Sequence, residues 1–173
     1  MTTDDGTGSS ARWLSEDELE TWHALNILLA RLPTALGEQL QRDSGLSFIE
    51  YYVLAGLSDQ PGWTMRMSHL AVFANSELSR LSHLMSRLEK RGLVRREPDP
   101  TDRRFTCAIL TDSGHDLLTD AAPGHVSEVR RLIFDRLDEA AQHALRDVTE
   151  QIRLQLGVLP IGPPRTTPPP PRS

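Results

Sequence analysis

A chain of 173 residues with net charge −5 and 38% hydrophobic side chains has the length of one domain and enough apolar material for a real core. No apolar run approaches the roughly 18 to 20 residues that a bilayer-crossing helix needs, the opening MTTDDGTGSSAR is polar and acidic where a signal peptide is basic and then apolar, and the single cysteine, Cys107, allows no internal disulfide, so a cytoplasmic setting is expected. The acidic balance argues weakly against nucleic acid as a partner, which leaves any such surface to be local.

Residues 1–12 read as disordered. Ser15 and Glu18 then form a capping box that opens a helix with apolar positions at Leu19, Trp22, Leu25, Leu28, Leu29, Leu32, Leu36 and Leu40. Pro33 inside it predicts a kink near Leu29 to Pro33, and Gly45 ends the run. Ser47 with Glu50 is a second box, starting a helix through Tyr51, Tyr52, Leu54 and Leu57. Pro61-Gly62 is a turn, followed by a short strand around Thr64 to Met67 and a helix from about Ser68 to Phe73.

From Asn75 a longer helix is expected. Leu78, Leu81, Leu84, Met85 and Leu88 draw one apolar stripe at helical period, which should face the core. The opposite face collects Ser79, Arg80, Ser82, His83, Ser86, Arg87 and Lys90, with no carboxylate before Glu89. A merely solvated face usually mixes both charge signs for pairing one turn apart, and serine is a mediocre helix former. Ser, Arg and His can instead contact phosphates and base edges in a major groove.

Gly92 is the expected left-handed cap, and LVRREP and FTCAIL then read as the strands of a half-exposed hairpin joined by DPTDRR. Arg103 and Arg104 fall near its end, where arginine would suit a narrow, electronegative minor groove. Between Leu78 and Phe105 eight cations stand against four carboxylates, +4 locally and −9 elsewhere. The basic footprint is one segment.

Thr111 opens the next helix through Leu117, Leu118 and Ala121; Pro123-Gly124 should break or bend it before Val126, Val129, Leu132, Ile133 and Leu137 continue. Asp138 is the expected cap for a last helix with Leu145, Val148, Ile152 and Leu156. The tail 158–173 has seven prolines in its last fourteen residues and reads as extended and disordered.

The run from Leu70 to Thr111 resembles the multiple antibiotic resistance regulator (MarR) family of winged helix-turn-helix repressors. LAVFANSELSRLSHLMSRLEKRGLV matches the family's helix-turn-helix ending in a leucine-rich RLExRGLV segment, and DPTDRR followed by Leu110-Thr111 matches its wing. The resemblance implies a mainly α fold with a small β-hairpin wing: a MarR-type domain over 13–157, its winged helix-turn-helix at about 47–110 and dimerisation helices at about 15–43 and 111–157. It also implies a sequence-specific, ligand-responsive transcriptional regulator of double-stranded DNA, first expected to repress, although activation stays open. A homodimer on a pseudo-palindromic operator follows from the resemblance, and the surplus leucines of the terminal helices point the same way.

Residue by residue, Ser79, Arg80, Ser82, His83, Ser86 and Arg87 align with the family's recognition helix. Arg80, His83 and Arg87 are candidates for base-edge or phosphate contacts, and the serines for phosphate or shorter base contacts. Arg103 and Arg104 match the wing, with the choice between them open. Many relatives carry an acidic residue where Ser86 stands, paired with a wing arginine; Ser86 cannot form that pair, so the wing should be looser or buttressed by Asp99 or Asp102. The family commonly binds small aromatic effectors beside its dimerisation helices, which makes Trp22, His23, Tyr51 and Tyr52 effector candidates, with Trp13 at the edge. Core and interface packing of the same aromatics stays open.

Other chemistries find little support. The six histidines show no metal-ligand spacing, and Cys107 in a wing strand is far from the N-terminal cysteine of peroxide-sensing relatives. No G-x-S-x-G, Gly-rich phosphate loop or H-E-x-x-H occurs, so no enzyme, metal or cofactor is expected. The alternative is a winged-helix protein-interaction module without specific DNA binding.

Overall fold

The computed structural model describes residues 12–157; the disorder expected for 1–12, all but its last residue, and for the Pro-rich tail 158–173 lies outside them. Among the described residues are six α-helices and one small antiparallel sheet. The chain divides into two compact units, Met1–Pro33 and Thr34–Ser173.

Helix α1 (Glu16–Ser44) begins at the expected box: the Ser15 amide donates to Glu18 Oε2 at 2.8 Å, and the Glu18 amide donates to Ser15 Oγ at 3.2 Å. It remains helical through Pro33. Within the first unit its apolar side chains Leu19, Trp22, Ile27, Leu28 and Leu29 are exposed.

In the second unit the last turns of α1 bury Leu36, Gln39 and Leu40, and Gly45, at φ 64°, ends the helix. Helix α2 (Phe48–Ser58) opens on the Ser47–Glu50 box and is buried along most of its length. A short helical turn, Pro61–Trp63, leads into β1 (Thr64–Arg66) and α3 (Met67–Phe73). Helix α4 (Leu78–Lys90) is followed by β2 (Val94–Pro98) and β3 (Thr106–Leu110). Where the sequence suggested a two-stranded ribbon beside a separate short strand, β1 joins it: the sheet order is β1-β3-β2, with Arg66 opposite Cys107 and Val94 opposite Leu110.

The core is contiguous. Leu54 and Leu57 of α2, Leu70 of α3, Leu81, Met85 and Leu88 of α4, Val94 of β2, and Ala108 and Leu110 of β3 are all nearly or fully buried together. At roughly 25 cal/mol per Å² of apolar surface removed from water, such residues dominate the stability of a domain this size. Helix α5 (Asp112–Leu132) closes the core with Leu118 and Ala121, and α6 (Glu139–Gln155) starts from Asp138, whose carboxylate accepts from the Ala141 amide at 2.8 Å.

Four expectations need correction. The helix expected from Asn75 begins at Leu78, because Asn75, at φ 45°, sits in the turn. Leu78, expected in the core stripe, is 53% exposed: it is the first helical residue, where the stripe runs off the end of the packed turns. Pro123-Gly124 does not break α5. Pro123 is exposed, while Ala121, Ala122 and His125 around it are buried, so packing on both sides compensates for the missing amide donor. Leu137 does not continue that helix, which ends at Leu132 before a short turn, Phe134–Arg136.

Candidate nucleic-acid interface

Helix α4 presents its two faces as its pattern requires. Leu81, Leu84, Met85 and Leu88 are buried, whereas Ser79, Arg80, His83, Arg87 and Lys90 are exposed and Ser82 and Ser86 half-buried. Arg80, His83 and Arg87 line an open groove of about 350 Å³ that continues to Ala74 and Ser76 in the turn before the helix. A row of cationic and hydroxyl donors above a rigid apolar face is the chemistry that phosphates and base edges accept.

The helix is braced from two sides. Glu50, already engaged in capping α2, lies 4.0 Å from Arg87 Nε and 3.8 Å from Arg91 Nη1, so its nearly buried carboxylate draws both toward the α2 terminus. Glu89 accepts from the Arg96 amide at 3.0 Å and from the Arg96 guanidinium at 3.1 and 2.6 Å. These hydrogen bonds hold the Glu89 carboxyl below its ordinary value and fix β2 to the end of α4. Ser86 Oγ donates back to the Ser82 carbonyl at 2.9 Å; the link between recognition helix and wing comes from Glu89 instead.

The wing turn is tied by its own carboxylates, the second of the two alternatives that Ser86 left open. Asp102 grips Arg104 through Nε at 2.9 Å and Nη2 at 2.6 Å and accepts from the Arg104 amide at 3.1 Å. Those bonds lower the Asp102 carboxyl and raise the Arg104 guanidinium. Asp99 is buried and holds Arg66 at 2.6 Å; Arg66, Thr101 and the Asp102 amide together hold its carboxyl far below the usual carboxylate range. Arg103 is exposed and, among the described residues, meets no carboxylate. Sequence reasoning missed Arg66, Glu50 as a partner of arginines, and the Glu89–Arg96 tie. Only the last lay within reach of the pattern, as the lone acid on an otherwise cationic helix.

The effector candidates fall in different places. Trp22 and His23 are exposed on the first unit. In the second, Tyr52 stacks on Phe73 with ring centroids 4.5 Å apart, and Tyr51 packs against His125 at 4.4 Å. Burial pushes the Tyr51 phenol up to about 12 and the His125 imidazole down. His125 Nδ1 and Gln39 Oε1 are buried without a hydrogen-bond partner among the described residues. No group of three or more potential metal ligands occurs among those residues, and no helix there is long and apolar enough to cross a membrane.

A cationic helix laid over an apolar core and followed at once by an arginine-tipped hairpin defines a winged helix-turn-helix DNA-binding protein. A sequence model described as the MarR family matches residues 44–104. The transcriptional regulator HosA of Escherichia coli O111:H- is 33% identical over 107 residues, 62% of this chain and 71% of HosA. Among solved structures, Sco3205, a MarR family transcriptional regulator from Streptomyces coelicolor crystallised in complex with DNA, is 38% identical with TM-score 0.83, over 92% of this chain and 99% of that one. CouR from Rhodococcus jostii RHA1, bound to p-coumaroyl-CoA, is 26% identical with TM-score 0.67, over 77% and 91%. The chain belongs to the MarR family of DNA-binding transcriptional regulators.

Proposed function

We propose that the chain acts in the cytoplasm as a homodimeric repressor on a pseudo-palindromic operator, with α4 in the major groove and the β2–β3 wing over the adjacent minor groove, and that it has no enzymatic activity. The observation that carries this reading is the exposed row Ser79, Arg80, His83 and Arg87 on a helix whose other face is locked in the core, joined through Gly92 to a wing bearing Arg103 and Arg104. Ser82 and Ser86 flank that row and supply shorter contacts. Of the two wing arginines, Arg103 supplies the minor-groove contact, since Arg104 is already committed to Asp102.

The dimer uses the terminal helices. Helix α6 buries no residue and exposes Leu145, Val148 and Ile152 on one face, a stripe that Leu156 at its C-cap extends and that a second copy would cover. The domain limits accordingly are 13–157, with the winged helix-turn-helix at about 47–110. Selection of duplexes from a random pool should enrich one inverted repeat, and its affinity should fall steeply with salt; enrichment of nothing, with uniform weak binding, contradicts the reading.

A small aromatic effector is proposed to act beside Tyr51, whose ring packs against His125, a residue with Nδ1 buried and without a hydrogen-bond partner among the described residues. The p-coumaroyl-CoA bound to CouR supports an aromatic class. Tyr52 is a further candidate in the same unit, and Trp22 and His23 are separate candidates on the first unit. A panel of phenolic acids that releases bound DNA from wild type, but less so from Tyr51→Ala, supports it; equal release from both removes Tyr51 from the site.

A further inference from the structure

Arg66 is the last residue of β1 and the N-cap of α3, so its backbone is fixed to both the sheet and the helix-turn-helix. Its side chain leaves that junction for the wing turn, 33 residues further along the chain. Nε donates to Asp99 Oδ2 at 2.6 Å, Nη2 donates to Thr101 Oγ1 at 3.3 Å, and the guanidinium carbon lies 4.8 Å above the centre of the Phe105 ring. Asp99, 5% exposed, gathers the rest of the turn on its carboxylate: the Thr101 amide at 2.8 Å, Thr101 Oγ1 at 2.6 Å, the Asp102 amide at 3.2 Å and Cys107 Sγ at 3.6 Å. Three residues of the segment 99–105 thus touch one guanidinium, and Arg103 and Arg104 stand between them.

We propose that Arg66 and Asp99 form a clamp that positions the wing relative to the helix-turn-helix, so that neither residue need touch DNA and yet both determine where the wing arginines fall. This rests on the DNA-binding reading above. The chemistry suits the task. A guanidinium is planar, donates in a fixed fork and stacks on aromatic faces, three properties a lysine ammonium lacks. A buried carboxylate stripped of its partner is strongly unfavourable, so the turn would rearrange to reach water once Arg66 is gone. Arg66 supplies the buttress that Ser86 cannot, and it acts from β1, across β3 from the Glu89–Arg96 tie on β2.

The test exploits the sign of charge. Asp99→Asn nearly preserves shape and raises the net charge by one, which on electrostatics alone tightens binding to any duplex. Arg66→Lys leaves net charge unchanged. With the duplex selected by the wild-type chain as probe, the clamp predicts that both variants lose about tenfold or more in affinity for it, keep or gain affinity for random duplex, and lose hydroxyl-radical protection along the minor groove while protection of guanine N7 from dimethyl sulfate in the major groove persists. Amide exchange at 99–105 should rise in both, with α4 unchanged. Unchanged or tighter binding of the selected duplex by D99N overturns the clamp, as does loss of protection in both grooves together with α4 exchange, which would mean general unfolding. A wild-type chain that selects no duplex overturns the DNA-binding reading and the clamp's role with it, so the two failures are distinct.

Discussion

Arg103 and Arg104 are neighbours in sequence and opposite in circumstance. Arg104 is folded back on Asp102, while Arg103 projects from the turn with no carboxylate against it among the described residues. A guanidinium that enters a minor groove must first give up existing partners, so the uncommitted one has the advantage. Arg103→Ala is therefore expected to weaken binding of the selected duplex about five- to a hundredfold, and Arg104→Ala less, as read by fluorescence anisotropy; the reverse order would mean that DNA pulls Arg104 from Asp102. His125 gives a second test, through pH. Burial holds its imidazole below the ordinary value of about 6.5, so below that pH the unfolded chain binds more protons than the folded one. Stability from this residue is complete above about pH 6.5 and declines as pH falls toward the folded-state value. His125→Phe retains a ring on Tyr51 and removes the proton. Its thermal midpoint should fall less than wild type's between about pH 7 and 5, and parallel curves would remove His125 as the cause.

Elements differ in how openly their sequences announce them. Caps were legible because they are local: Ser15 with Glu18, Ser47 with Glu50, Asp138, Gly45 and Gly92 all act as their spacing suggested. The polar face of α4 was legible for the same reason, since the period of its leucines fixes the opposite side. What escaped was set by distant partners. Pro123 reads locally as a breaker, yet α5 continues because Ala121, Ala122 and His125 are buried around it. Leu78 fits the stripe by period but lies beyond the last turn that has something to pack against. Arg66 and Asp99 are too far apart for any spacing rule to join them, and β1 was readable as a strand without its partner being readable. Gly114 carries a constraint of this hidden kind: a Cβ there would stand 2.1 Å from the Leu93 carbonyl oxygen and 2.8 Å from Leu110 Cδ1. Backbone cannot yield as a side chain does, so Gly114→Ala, though favourable for an isolated helix, should cost more than about 2 kcal/mol in urea denaturation. A neutral result would mean that α5 can pivot away from Leu93.

At the scale of the whole molecule, a chain of net charge −5 binds DNA by concentrating its cations. Each carboxylate between Leu78 and Phe105 is engaged by an arginine: Glu89 by Arg96, Glu97 by Arg95, Asp99 by Arg66 and Asp102 by Arg104. That leaves Arg80, Lys90 and Arg103 exposed and without an ion pair, among the described residues. On the proposed reading, the remaining acidic charge discourages binding elsewhere and narrows the contact to this segment. Twofold symmetry would double it, and the exposed stripe of α6 is where symmetry is expected to arise. Ile152→Glu places a charge in that stripe and should shift light scattering from dimer toward monomer; a variant still dimeric at micromolar concentration would move the interface off α6. The central claim is tested most directly by hydroxyl-radical footprinting of the wild-type chain on its selected duplex. Two protected half-sites about one helical turn apart, related by a twofold axis and flanked by minor-groove protection from the wings, are predicted. A single unpaired footprint, or protection with no register at all, would contradict a dimer that reads DNA with α4 and its wing.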